Sequence, residues 1–350
     1  MKKVEENNEL PSDVLDIIFK TLDFDDHFQF ADVCKNWRTF HESCWRNFLA
    51  SQEPLLLQIS YHDWESYSFI SVPDQKVHHL KMMKYFPPST YVTFSSGYFI
   101  MVGYYVNSFM LINPFTRIKK VINGPTCENS LFLTTRALLA FGKCSEEFVL
   151  VVLCKRRLHV YQSQNCDWVT YSTMGNSGRV VDFVVLHNII YVITNMAYIG
   201  VINLNSANVK FLKLKSTPNV NFSSCLKLVN CNEQLLVVDF MPKEIRNVYK
   251  IDFSTMNYVK LETLGDIALF CGSNGLKRNC YALSNPNKWG YESNSVYVIS
   301  LLSTICSVYS GDDKQLQKCI TLPAPDATRC LMVDWCFRHL QYEVDYSLVE

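Results

Sequence analysis

The residues best able to do chemistry in this chain are its fourteen cysteines, at positions 34, 44, 127, 144, 154, 166, 225, 231, 271, 280, 306, 319, 330 and 336. No two stand in a Cys-x-x-Cys spacing, which zinc ribbons and redox motifs need so that two thiolates can share one metal or one disulfide. Cys330, Cys336 and His339 come nearest to a metal cluster, and weakly. The spacing predicts no metal site, and reduced thiols that fill core space as small hydrophobes in a cytosolic or nuclear compartment. The eight histidines are scattered. His78 and His79 are adjacent, and neighbours on a strand point to opposite faces, so they cannot chelate one ion as a pair. The carboxylate pairs Asp25–Asp26, Glu146–Glu147 and Asp312–Asp313 sit in turn-like sequence, whereas the acid and base of a glycosidase must converge from separate elements. Serine-hydrolase elbow, phosphate loop, dinucleotide fingerprint and His-Glu-x-x-His are all absent. The sequence predicts no catalytic residue and no cofactor, which leaves a glycosidase the least favoured function.

Other side chains could act by binding. The clusters R-I-K-K (117–120) and K-R-R (155–157) follow apolar runs and read as solvated hairpin tips, with a nuclear-import or acidic-partner patch as the minor reading. Trp64, Trp289 and Tyr291 stand in the polar loops Y-H-D-W-E-S-Y (61–67) and S-N-P-N-K-W-G-Y-E-S-N (284–294), where an exposed aromatic could anchor a client protein. Packing back onto the fold is the competing reading, since Trp is usually largely buried. With 33 basic against 33 acidic side chains the formal charge is zero. A nucleic-acid partner is therefore not expected, because that affinity comes largely from a basic excess. The longest apolar run, F-V-L-V-V-L-C (148–154), is far short of the roughly 20 residues that cross a bilayer, so no membrane partner is expected either. The first ten residues are polar and acidic, and the apolar core that must follow the positive start of a secretory signal is lacking. The expected location is cytoplasm, nucleus or both.

Two unlike kinds of element must position these side chains. From residue 9 to about 48 the period is helical: Leu15, Ile18, Phe19 and Leu22 form one stripe behind the start signal Pro11, Ser12 and Asp13. Phe30, Val33, Cys34 and Trp37 repeat the stripe, and Trp45, Phe48 and Leu49 predict a third short helix. So small a unit cannot bury this many large apolar groups internally. Part of its surface must meet either a partner or the rest of the chain. The string L-P-S-D-V-L-D-I-I-F (10–19) with V-C-K-N-W-R (33–38) resembles an F-box, the module by which substrate receptors dock on the Skp-type adaptor of cullin ubiquitin ligases. The resemblance covers Leu10 to about Phe40. It implies that Leu10, Pro11, Leu15, Ile18, Leu22, Val33, Cys34 and Trp37 face the adaptor.

After Pro54 the chain becomes short runs rich in Val, Ile, Tyr and Phe, separated by Asn, Ser, Asp and Pro, which read as strands and turns. Glycine is scarce at 12 residues, so turns must draw on asparagines that tolerate left-handed backbone, such as Asn203, Asn205 and Asn208. An apolar strand ending in a turn recurs at the markers Ile70, Ile112, Tyr161, Ile202, Ile251 and Ile299, spaced 42, 49, 41, 49 and 48 residues apart. That is close to the roughly 40 to 50 residues of a four-stranded propeller blade. A sandwich or barrel is the rival all-β fold, but regular spacing favours radial repetition. The segments N-P-F-T-R-I-K-K-V-I, L-G-D-I-A-L-F-C-G-S-N-G-L-K-R-N-C-Y and N-S-V-Y-V-I-S-L are similar to the C-terminal β-propeller of a large plant F-box family, described as Kib-type. The family's Trp-Phe-Val-Pro-like ending is replaced here by Trp335-Cys336-Phe337-Arg338, which bears on blade closure; 329–337 is a candidate closing strand.

The expected architecture is α+β and multidomain: a disordered 1–8, a three-helix F-box at 9–50, an all-β propeller of six blades at 51–340 and a tail at 341–350. The resemblances imply a non-catalytic substrate-recognition subunit of an SCF-type (Skp–cullin–F-box) ubiquitin ligase. It would meet the Skp-type adaptor, through it a cullin, and a client protein held by the propeller. An F-box scaffold that sequesters a signalling protein without directing its degradation is the alternative.

Overall fold

The computed structural model describes residues 10–22, 24–50, 53–60, 66–81, 89–103, 107–114, 118–125, 134–142, 147–154, 157–171, 177–206, 208–219, 225–240, 245–273, 279–323, 330–337 and 342–345. Its first part is helical: α1 (Ser12–Thr21), α2 (Phe24–Phe30) and α3 (Lys35–Ala50). Pro11 precedes α1 with a fixed φ of −56°, a geometry ready-made for a helix start. The 3.6-residue period places Leu15 and Phe19 on the inner face, where they meet Phe30 and, half-buried, Ile18, Leu22, Trp37, Phe40 and Cys44. Phe19 is the hub, with Phe30 at 5.3 Å and Phe40 at 5.9 Å, both edge-to-face.

The rest of the described chain is a six-bladed propeller. Blade one holds β1 (Leu55–Ser60), β2 (Ser66–Ile70) and β3 (Val77–Lys81); blade two β4 (Ser89–Ser95), β5 (Tyr98–Gly103), β6 (Ser108–Ile112) and β7 (Lys119–Asn123). Blade three runs β8 (Thr134–Gly142), β9 (Phe148–Cys154), β10 (Arg157–Gln162) and β11 (Asp167–Tyr171), and blade four β12 (Val180–Leu186), β13 (Ile189–Thr194), β14 (Ile199–Asn203) and β15 (Asn208–Phe211). Blade five runs β16 (Cys225–Cys231), β17 (Gln234–Phe240), β18 (Ile245–Asp252) and β19 (Asn257–Leu261). Blade six holds β20 (Ile267–Ser273), β21 (Cys280–Ser284), β22 (Ser295–Ser300), β23 (Ile305–Ser310) and β24 (Leu316–Thr321). Each of the six sequence markers lies in a different blade, on β2, β6, β10, β14, β18 and β22, so the spacing does report one blade per repeat.

Burial explains why some strands are unbroken apolar runs and others alternate. β9 is buried at every residue, because neighbouring blades cover both faces of the strands near the axis. The outermost β24 is exposed at all but one position. Closure comes from β25 (Cys330–Cys336), which pairs antiparallel with β1 from Leu55–Cys336 to Ser60–Cys330 and completes blade one on its axial side. The last long strand and the propeller start thus share one sheet, as the candidate closing strand required, and Trp335 is fully buried there.

Two local expectations need correction. Asn203 makes its turn through its side chain, Oδ1 accepting from the N–H groups of Asn205 (2.8 Å) and Ser206 (3.0 Å), and Asn203, Asn205 and Asn208 do not adopt the positive φ that was expected of them. Left-handed asparagines sit instead at Asn188, Asn232, Asn285 and Asn294; His187–Asn188 and Asn232–Glu233 have positive φ at both central residues, the turn whose twist matches a hairpin. Blade six also breaks the simple meander. β21 lies on the axial side of β20, and β22 on its other side runs parallel to β20, so the chain must cross over the start of β20. The crossing, 285–294, is tied down where Asn285 N–H donates to Asp266 O (3.0 Å) and Asn294 N–H to Ile267 O (2.9 Å).

Candidate protein-docking surfaces

On the helical unit, core formation has already used some of the residues expected to face an adaptor. Leu15 is 1% exposed, inside the cluster with Phe19 and Phe30. It is a core residue, because its helical period points it inward. Ile18, Leu22 and Trp37 are half-buried against the same cluster, Trp37 lying 4.5 Å from the Phe30 ring. Leu10 (40%), Val33 (59%), Pro11 and Cys34 are exposed. Ile17, 63% exposed, was missed. Its signal was available: an isoleucine at the helical position next to the inward Ile18, off the apolar stripe. The histidines here are buried; His41 is held to a pKa of about 4 by burial, beside the Phe19 ring at 5.6 Å.

The aromatic loops fare differently. Trp64 lies outside the described residues. Tyr291 is 2% exposed, its hydroxyl donating to Pro54 O (2.9 Å), with the rings of Phe270 and Tyr297 at 4.9 and 5.2 Å. It therefore does not display itself to a client but locks the blade-six crossing onto blade one; the crossing has to pass over a sheet end, and a large ring fills the gap. Trp289 is half-buried on the same core, with the Lys288 ammonium 4.6 Å above its ring. Of the basic clusters, Lys119 and Lys120 lie on the outer strand β7 rather than at a hairpin tip, Lys120 reaching over the Phe148 ring. His78 is buried and His79 exposed, its Nδ1 3.0 Å from Ser68 Oγ, on opposite faces of β3 as their adjacency requires.

The densest polar chemistry sits around the propeller axis. Asp334 on β25 accepts from Asn279 Nδ2 (2.7 Å), Tyr91 OH (3.1 Å) and Thr93 Oγ1 (3.3 Å). Asn279 Oδ1 accepts from Arg136 (2.9 Å) on β8, whose Nε pairs with Asp182 (3.0 Å) on β12. Asp182 in turn accepts the Leu228 N–H (2.9 Å) on β16. One chain of bonds therefore touches all six blades. Burial raises the Asp334 pKa to about 6, opposed by its Asn279, Arg136 and Tyr91 partners. Burial is the largest single influence on Arg136 and works against its charge, but Asp182, Tyr281, Tyr342 and Asp334 together outweigh it and hold the guanidinium charged. Tyr91 and Tyr281 are pushed far above the usual phenol range by burial and by Asp334. These carboxylates are engaged and closed off, at 1% exposure each, and form a tie between blades. Sequence reasoning passed them over, although a charge inside an apolar strand (T-R-A-L-L, V-V-D-F-V, M-V-D-W-C) is a signal in itself, since buried charges occur only when paired. Among the described residues no group of His, Cys, Asp or Glu could hold a metal ion, and no helix is long and apolar enough to cross a membrane.

Residues 8–49 match the F-box domain and residues 69–320 the family described as KIB1-4 beta-propeller. No curated protein matches the chain. Among solved structures, AztD of Citrobacter koseri aligns at 13% identity and a TM-score of 0.36, over 56% of this chain and 50% of that one.

Proposed function

The chain belongs to the KIB1-4 beta-propeller family and carries an F-box domain ahead of the propeller, and on that premise we propose that it is the substrate-recognition subunit of an SCF-type ubiquitin ligase. The helices α1 to α3 dock the Skp-type adaptor and through it a cullin, and the propeller holds a client protein. The observation that carries this reading is that the helical unit closes its own small core with Leu15, Phe19 and Phe30 and still exposes Leu10, Ile17 and Val33. Exposed aliphatic side chains of this kind favour association when a partner covers them, because apolar area then leaves water.

The chemistry is proximity. Holding a client beside a ubiquitin-charged enzyme raises its effective concentration, to the millimolar range for short tethers, and requires no catalytic group here. The rival is a scaffold that binds the adaptor and retains its client without degradation; comparing client half-life with and without the chain, under proteasome inhibition, separates the two. Adaptor docking itself is tested by Val33→Asp and by Leu10→Ala with Pro11→Ala. Each is expected to weaken adaptor capture by at least about tenfold with the thermal transition unchanged. Undiminished capture by a folded variant overturns the assignment.

A further inference from the structure

The described segment that follows β25 lies along the inner rim of the propeller. Tyr342 N–H donates to Ser96 Oγ (3.0 Å) in blade two, and its carbonyl accepts from Phe141 N–H (2.9 Å) in blade three. Next, β26 (Glu343–Val344) adds in parallel to the axial edge of β8, in register Glu343–Phe141 and Val344–Gly142. Asp345 N–H then donates to Asn188 O (3.1 Å) at the blade-four hairpin. Val344 is 1% exposed in the core shared by blades three and four, and Tyr342 packs against both that core and the next.

What the rim reads in this segment is strand backbone. Apart from the Ser96 hydroxyl, every receptor group in these contacts is main chain, and the seat buries one side chain, the β-branched Val344, while the aromatic Tyr342 two residues before it is half-buried against the two cores. That is the mode in which a sheet edge takes up an extended peptide. The pairing is two residues long and parallel, the weaker arrangement per residue, so it sits at the low-stability end of the fold, where local opening is easiest.

We propose that this rim, the axial edge of β8 at Phe141–Gly142 with Ser96 and Asn188, is the seat for an extended client segment of pattern aromatic-x-aliphatic, and that residues 342–345 are its intramolecular occupant. The inference rests on the reading of the propeller as the client-holding unit. Because the tail is tethered, its effective concentration is high, and a client segment in trans must displace it. The seat is thereby closed to weak ligands until the tail is released.

The probe is a fluorescein-labelled peptide of sequence L-Q-Y-E-V-D-Y-S, residues 340–347, followed by anisotropy against the full chain, the full chain carrying Val344→Asp, and a chain ended after Gln341. Saturable binding to both variants is expected, at least about tenfold tighter than to the unaltered chain. It should be lost when alanine replaces the peptide's tyrosine and valine that correspond to Tyr342 and Val344. Binding to neither folded variant, or equal binding to all three, overturns the proposal. Should the shortened chain fail to fold, Val344→Asp decides alone: amide exchange at Phe141 is expected to quicken at least about tenfold while that of Ile251 stays as it was, and unchanged exchange at Phe141 overturns the strap. A client that binds the Val344→Asp chain and the unaltered chain alike would keep the propeller as receptor and remove only the rim as its seat.

Discussion

Two buried ionisable side chains give this protein pH responses of opposite sign. His41 is held near pKa 4, below its ordinary 6.5, by burial. Its neutral form suits the fold, so the stability it permits is intact above pH 6.5 and is lost as pH falls toward 4. A shift of this size corresponds to roughly 3 kcal/mol at most. His41→Phe should remove that acid loss, read as amide-exchange protection of α1 between pH 7 and 4.5. Asp334 is raised to about 6 from 3.8, with burial as the largest cause. Here the unfolded chain gives up its proton first, so stability falls as pH climbs from about 4 to 6 and is flat above, again by up to roughly 3 kcal/mol. Asp334→Asn, similar in shape but unable to ionise, should flatten that interval. Urea midpoints at pH 4.5, 6 and 7, taken as the difference between variant and wild type, would show it; a variant that retains the wild-type slope would place the titration elsewhere.

At the scale of elements, the crossing in blade six and the closing strand carry the predictions. Tyr291→Phe deletes the bond to Pro54 O and should cost about 1 kcal/mol. Trp335→Ala empties the fully buried site where Phe270 lies 4.9 Å away and should cost about 3–5 kcal/mol; both are read from denaturant midpoints at constant slope. These elements also mark how far the sequence could be read. The six repeats were legible because one apolar, turn-ended strand of each blade recurs at nearly constant spacing, and β25 because an apolar run late in the sequence must pair with something. That Leu15 and Tyr291 fold inward was not legible locally, for one shared reason. A motif or a polar loop says which residue types are present, but which of them fold inward depends on a neighbour far along the chain, Phe30 in one case and Pro54 in the other. The axial network was overlooked because its members, from Tyr91 to Asp334, come from strands with no local relation. The crossing was illegible because parallel pairing of β20 with β22 leaves no period-two signature distinct from that of a hairpin.

For the whole molecule, the decisive question is whether helices and propeller act as two units. Among the described residues the helical core of Leu15, Phe19 and Phe30 contains no propeller residue, whereas the axial network runs through every blade. α2 runs beside β3 and provides a route for coupling. Separate cores predict additivity, because substitutions without shared partners usually combine within about 0.5 kcal/mol. Val33→Asp should therefore weaken adaptor binding by the same factor in the wild-type chain and in Trp335→Ala, measured by titration at a temperature where both are folded. Trp335→Ala alone should lower the propeller transition and leave adaptor affinity unchanged. A non-additivity above about 1 kcal/mol would mean that the α2–β3 contact transmits propeller state to the docking helices. A protein that works by proximity has reason to avoid that coupling: client and adaptor binding must both be tight, but neither needs to know of the other for effective concentration to rise. Independence of the two surfaces is thus what the proposed mechanism requires, and the Val33/Trp335 cycle measures it without knowledge of the client.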